Sequence, residues 1–177
     1  MKKILVLLAC LLALAIAAIA QEDLNFANMP LVSTPSLMPN GYGGLNWTNI
    51  FYIDPHQWSG SGPGYMHGPV GRDVVFVGGK ICRLMQEACY GTISSAGGPM
   101  GFEPMSAVVA GGFGATYVFV TAYNNGNYVG SISVPLGTQM RTLNFPASWG
   151  SVTQLVFMTT GGGDLVIYDL QVYMLGG

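Results

Sequence analysis

The chain has 177 residues, half of them hydrophobic and only 8% charged, with a formal net charge of −2. So sparse and slightly acidic a charge set lacks the clustered Lys and Arg that neutralise phosphates, which excludes nucleic acid as a partner. The aliphatic and aromatic content is equally far from that of a disordered chain.

The sequence opens MKKILVLLACLLALAIAAIA, two lysines ahead of an uncharged apolar run, and Ala18-Ile19-Ala20 has the small-x-small form of a signal peptidase site. This predicts a secretory signal peptide over residues 1–20, with residues 21–177 exported to an extracellular or periplasmic location. The run from Ile4 to Ala20 covers 17 residues, at the lower limit of a membrane span. No positively charged stop follows it, so no membrane attachment is expected after cleavage. Leu7-Leu8-Ala9-Cys10 has the form of a bacterial lipoprotein box, but only six residues precede it. Lipidation at Cys10 is therefore the weaker reading.

The 157 residues after Ala20 suffice for one domain and argue against two. They hold four basic and eight acidic residues, all 26 glycines and all 10 prolines. That density of Gly and Pro interrupts helices and favours short strands joined by tight turns. Leu24–Phe26 reads as an entry strand, followed by a Pro/Ser/Asn-rich connection over 29–41. Pro39–Gly44 reads as a turn, and Leu45–Ile53 as a strand whose Trp47 anchors the core. Asn46-Trp47-Thr48 is a glycosylation sequon, expected to be silent because the compact Lys-Lys, Ala-rich leader looks bacterial. Residues 54–67, with Ser59-Gly-Ser-Gly-Pro-Gly64 inside them, read as a surface loop.

Val74–Val77 is a strand, residues 81–104 a long excursion with a helical turn at Arg83–Glu87, and Ser106–Ala110 a weaker strand. Cys82 and Cys89 sit in that excursion, and in an exported protein such a pair predicts a disulfide. One continuous helix over 82–89 would forbid it, since seven residues at about 1.5 Å rise separate the Cα atoms by roughly 10 Å. The alternative is two partly buried thiols. From Thr116 the strand signals are clear. Thr116–Tyr123 is aromatic and β-branched, Asn125-Gly126 suits a type I′ hairpin, and Tyr128–Val134 alternates. Arg141–Phe145, Val152–Thr159 and Leu165–Met174 follow, the last with Val166, Tyr168, Leu170, Val172 and Met174 on one face. The fold class is all-β, a single-domain antiparallel sandwich or jelly roll.

Enzyme templates are missing from the sequence. It has no G-x-S-x-G and no H-E-x-x-H, and its two histidines, His56 and His67, cannot build a His-rich metal centre. Asp54-Pro55-His56 pairs two metal-ligand types, yet an Asp capping a turn explains Asp54 equally well. No cofactor is expected beyond a structural calcium ion, for which Asp169 is the first candidate and Asp23 the second; a plain strand carboxylate is the simpler reading of each. Sugar rings stack their C–H faces on aromatic side chains. Trp58 and Tyr65, with Asp54 and His56 beside them, are therefore the candidate ligand-binding set, and Trp149 is a further loop aromatic. Trp58 and Trp149 are each read either as exposed platforms or as lids over the core.

The Leu-Asn-Phe opening, Pro-Asn-Gly-Tyr-Gly-Gly-Leu-Asn-Trp at 39–47, Leu143-Asn-Phe145 and the terminal Leu-Val-Ile-Tyr-Asp-Leu-Gln-Val are similar to a group of secreted, largely uncharacterised β-sandwich proteins of microbes and fungi. These carry an N-G-Y-x-G-L-x-W motif, and their sandwich resembles galactose-binding and carbohydrate-binding modules. The resemblance spans most of residues 24–174. It implies a jelly roll and an extracellular role, and supplies no catalytic residue. Asn25 and Ala27-Asn28 stand where that group often has acidic residues, which weakens a calcium site in the opening strand. The Cys82 to Cys89 insert also lies outside the pattern. The expectation is a non-catalytic module whose partner is a polysaccharide or glycan, with the oligomeric state left open. The alternatives are an adhesive or structural surface protein that contacts other proteins, and a hydrolase.

Overall fold

The computed structural model describes residues 19–78, 89–97, 100–113, 116–161 and 163–175. Twelve strands run through them. The first five are β1 (Ile19–Leu24), β2 (Ser36–Leu37), β3 (Leu45–Thr48), β4 (Ile50–Ile53) and β5 (Val74–Val77). Then come β6 (Cys89–Ser95), β7 (Phe102–Gly112), β8 (Thr116–Asn124) and β9 (Asn127–Leu136). The last three are β10 (Arg141–Asn144), β11 (Gln154–Thr159) and β12 (Asp164–Leu175). A seven-stranded sheet runs β10-β7-β12-β5-β4-β2, with β1 also paired to β12, and a five-stranded sheet runs β3-β6-β11-β8-β9. Every strand pairing is antiparallel. The fold is an all-β antiparallel sandwich of the jelly-roll class.

Alternation fixes the core. Leu45, Trp47, Ile93, Val118, Val120, Leu155 and Phe157 from the small sheet face Val75, Val77, Val109, Leu165, Ile167, Leu170 and Val172 from the large one. Burying branched and aromatic side chains at roughly 25 cal/mol per Å2 of apolar surface is what holds the layers together. The N-G-Y-G-G-L-N-W segment is a staple for this core. The Asn40 side chain accepts the Trp47 N–H at 2.9 Å, and the Trp47 indole donates to the Tyr42 carbonyl at 3.0 Å. Gly43 sits at φ 59 against the Leu24 side chain, a conformation and a spacing that a Cβ would disrupt.

Several local expectations are corrected. Leu24 ends β1 instead of opening it, because Phe26 turns to φ 59 and drops into the core beside Tyr42 and Trp47. Residues 45–53 form two strands. At Asn49 (φ 55) the chain crosses from the small sheet into the large one, and the Asn49 amide holds the corner by donating to the Tyr90 carbonyl at 2.5 Å. The stretch read as an excursion contains β6, which lies between β3 and β11, and the first three residues of β7. Pro104 in β7 sits at a register irregularity opposite Gln171/Val172, one of the few places where a strand tolerates a missing donor. The single apolar face expected of β12 is split by a bulge between Ile167 and Asp169. Val166 and Tyr168 join a cluster outside the sandwich, whereas Leu170 and Val172 enter the inner core. The Asn125-Gly126 hairpin is as read, with φ of 49 and 79. The helical turn at Arg83–Glu87, Cys10, and residues 1–18 of the leader lie outside the described residues.

Candidate binding site

The segment from Asp54 to Asp73 folds flat over the outer face of the large sheet. Asp54 starts it as a turn cap: its carbonyl accepts the N–H groups of Gln57 and Trp58, and its carboxylate accepts the His56 N–H at 2.9 Å and the Gln57 amide at 2.7 Å. Asp54 is buried, and His56, half-buried, is tied to this turn with Nδ1 3.7 Å from the Asp54 carboxylate. The Tyr65 hydroxyl donates to Asp164 at 2.5 Å, and the Tyr168 hydroxyl donates to the Gly64 carbonyl at 2.5 Å. Gly64 lies so close to the Gly111 carbonyl that a Cβ would overlap it. Ile53, Tyr65, Val74, Phe76, Ala110, Val166 and Tyr168 form a second apolar cluster beneath the segment.

This arrangement divides the candidate ligand set. Tyr65 is fully buried, and Trp149 is buried against Phe145 with ring centroids 5.9 Å apart, so neither offers a ring to solvent. Trp58 stacks on Phe76 at 6.1 Å, meets Tyr65 and Phe113 edge-on, and keeps only part of its surface in water. Trp58, Tyr65, His56 and Asp54 do come together, but as the roof of the second cluster. Cys89 is buried in β6, while its expected partner Cys82 lies outside the described residues.

Among the described residues no segment lies over the opposite side of the sandwich. The outward positions of the small sheet are Asn46 and Thr48 on β3; Tyr90, Thr92 and Ser94 on β6; and Gln154, Val156 and Met158 on β11. Tyr117, Phe119, Thr121 and Tyr123 on β8, with Tyr128, Ser131, Ser133 and Pro135 on β9, complete the face. Register places Tyr90, Met158, Phe119 and Ser133 in one row across the strands, and Thr92, Val156, Thr121 and Ser131 in the next. Tyr90 is 60% exposed, Tyr117 52% and Tyr128 63%. None of these positions is charged. At about 3.4 Å per residue along β8 and about 4.8 Å between strands, the face covers on the order of 600 Å2. Phenol and phenyl rings give it stacking surface, and Tyr, Ser and Thr hydroxyls give it donors and acceptors at the same level. The sequence carried a local hint of it, since Tyr117, Phe119, Thr121 and Tyr123 alternate with the core residues Val118, Val120 and Ala122.

A cleft of about 110 Å3 opens where the covering segment leaves the large sheet, lined by His67, Gly68, Pro69, Arg72, Asp73, Val74, Val108, Met140, Tyr168 and Asp169. The β12 bulge turns Asp169 to the outer side of the large sheet, and Asp23 of β1 stands beside it, so the two calcium candidates are neighbours. Burial, then the Asp23 carboxyl, push Asp169 up to about 7, against the pull of Arg72. Burial, then the Asp54 charge, push Asp73 up to about 6, with the Val32 amide opposing. Burial also holds the Tyr168 phenol up at about 12, so it stays a hydroxyl. Among the described residues no three Asp, Glu, His or Cys side chains gather as a metal centre.

These geometries define the class of the protein: a jelly-roll sandwich with one sheet face covered by its own chain and the other left uncovered by the described residues. No family model matches the chain, and no curated protein matches it. Among solved structures it is similar to a DUF4465 family protein from Bacteroides caccae, at 9% identity over 91% of this chain and 96% of that chain, with a TM-score of 0.56. It is more distantly similar to TmCBM61 in complex with β-1,4-galactotriose (13% identity, 76% of this chain and 92% of that chain, TM-score 0.40). A family 32 carbohydrate-binding module from C. perfringens NanJ in complex with galactose stands at a similar distance (14% identity, 80% of this chain and 100% of that chain, TM-score 0.39). At such identities the likeness concerns the fold alone.

Proposed function

We propose that the protein is a secreted, non-catalytic binding module that holds neutral glycan on the open face of the five-stranded sheet. The observation that carries this reading is an uncharged surface on which exposed Tyr90, Tyr117 and Tyr128 alternate with Ser, Thr, Asn and Gln. Stacking on such rings favours the C–H faces of sugars, and the surrounding hydroxyls and amides pair with sugar hydroxyls. The absence of charge favours a neutral chain, since an anionic or cationic polymer gains no Coulomb attraction there. None of the outward positions is a carboxylate or a histidine, the groups that acid–base cleavage of a glycosidic bond requires.

Affinity electrophoresis through gels containing galactan, xylan, glucan or galactomannan tests the reading. Retardation by at least one neutral polysaccharide is expected, and Tyr117→Ala with Tyr123→Ala should abolish it while leaving the melting temperature close to that of the parent. Retardation that survives both changes, or none on any polysaccharide, removes the proposal. The second reading, an adhesive surface protein, rests on the same flat face and on β9 (NYVGSISVPL), an uncharged edge strand without the lysines that usually protect such edges. Concentration-dependent association in sedimentation, lost when Ser131 or Ser133 is changed to Lys, would favour it.

A further inference from the structure

The outer face of the five-stranded sheet is not uniform. At the end nearest the Asn125-Gly126 turn, the hydroxyls of Tyr128 and Ser131 lie 3.1 Å apart. Side chains on a strand stand roughly perpendicular to the sheet, so an upright tyrosine would carry its hydroxyl well above a short serine three positions on. The hydrogen bond therefore lays the Tyr128 ring down along β9 toward Ser131, and the residue is still 63% exposed. Tyr123, opposite Tyr128 just past the bulge in the β8–β9 ladder, meets that ring at 77° with the centroids 6.3 Å apart. Together they form a corner, with Tyr128 as floor and Tyr123 as wall. From it the pairs Thr121/Ser131, Phe119/Ser133 and Tyr117/Pro135 continue along the hairpin. Tyr117 is 52% exposed at the far end, about 20 Å from Tyr123 at about 3.4 Å per residue.

We propose that this track selects an extended, unbranched neutral glycan lying along the β8–β9 hairpin, with one sugar ring in the Tyr123/Tyr128 corner and another on Tyr117. The inference rests on the glycan reading above and adds the direction and shape of the chain. Aromatic rings concentrate along the hairpin, to which Tyr117, Phe119, Tyr123 and Tyr128 all belong. Across the strands, the row Tyr90, Met158, Phe119 and Ser133 offers two rings with a methionine between them, and the row Thr92, Val156, Thr121 and Ser131 offers none. Stacking on rings therefore rewards a chain that follows the hairpin. Between the two ends lie half-buried Phe119 and the hydroxyls of Thr121, Ser131 and Ser133, short groups that a chain can pass over and pair with. A coiled or branched glycan reaches one end alone. Ser131 is a positioning residue, since its hydroxyl holds the Tyr128 ring flat.

The test is an NMR titration of the whole chain with β-1,4-linked galactose, xylose, glucose and mannose oligosaccharides, from disaccharide to hexasaccharide, alongside the polysaccharide gels. In at least one series affinity should rise at least tenfold from the disaccharide to the pentasaccharide and then level off. Tyr117→Ala should bring the pentasaccharide down to the affinity of the disaccharide, and should cost more than Tyr90→Ala. Ser131→Ala should weaken binding at every length and shift the Tyr128 ring signals, with both restored in Ser131→Thr and the melting temperature unmoved. An affinity independent of length, a larger loss in Tyr90→Ala than in Tyr117→Ala, or undiminished binding in Ser131→Ala would overturn the proposal while leaving the glycan reading in place. So would retardation by a polysaccharide with no oligosaccharide bound at any length. No response to any saccharide, in solution or in gels, removes both.

Discussion

Replacing Asp73 by Asn probes the energetics of the acidic cleft directly. In the folded chain Asp73 is held at about 6, above its ordinary value of 3.8, first by burial and then by the Asp54 charge. Two units at 1.36 kcal/mol each place the cost of ionising it in the fold at about 3 kcal/mol. A carboxyl raised on folding binds its proton more tightly in the native state, so its contribution is fully present below about pH 4 and is lost as pH rises through about 6. Asparagine imitates the protonated form. The variant should therefore match the parent at pH 4 and exceed it by about 2–3 kcal/mol at pH 8. With a urea slope of about 2 kcal/mol per M for a domain of this size, that is a midpoint shift of more than about 1 M at pH 8. Urea unfolding followed by tryptophan fluorescence at pH 4, 6 and 8 measures it. A variant no more stable than the parent at pH 8, or stabilised equally at all three values, would refute the argument.

Asp169→Asn should act in the same direction, its gain growing as pH rises to about 7 and persisting above it; because Asp169 is partly exposed, its effect is discounted to about 1 kcal/mol, readable in the same urea series. Trp58→Ala removes the ring stacked on Phe76 and should cost about 2 kcal/mol in thermal unfolding while leaving polysaccharide retardation unchanged, since Trp58 sits on the covered side. A loss of retardation with stability intact would return Trp58 to the binding site. Gly64→Ala drives a methyl group into the Gly111 carbonyl and should loosen the covering segment, so that limited proteolysis cuts between residues 55 and 72 before the rest of the chain unfolds.

The C-terminal strands were legible because their information is local. Alternation in β8, β9 and β11 and the Asn125-Gly126 turn each lie within a dozen residues, and the structure matches them closely. β6 was hidden by its composition: in Cys-Tyr-Gly-Thr-Ile-Ser-Ser a glycine and two serines dilute the strand signal of Tyr90, Thr92 and Ile93, and the strand is held by its place between β3 and β11. The crossing at Asn49 leaves almost no trace in the sequence, since LNWTNIFYI is strand-like throughout and one left-handed Asn decides which sheet each half joins. The same distinction governs the site. The aromatic residues of the 54–67 segment announced themselves as a cluster, but whether they face water depends on Tyr65 reaching Asp164, 99 positions away. The open face is an assembly of strands far apart in sequence, and only its β8 row could be seen in advance.

The covering segment also makes the molecule directional. A plain two-layer sandwich offers solvent two broad sheet faces and no reason to prefer one. Here Trp58, Tyr65 and Gly64 seal the outer face of the large sheet, while among the described residues nothing covers the outer face of the small sheet. Attached to a fibre or a wall through that face, every copy would point its sealed side and the acidic cleft outward. A coat of such molecules would have a neutral underside and a carboxylate-dotted exterior, an asymmetry set by which sheet the chain chose to fold back upon.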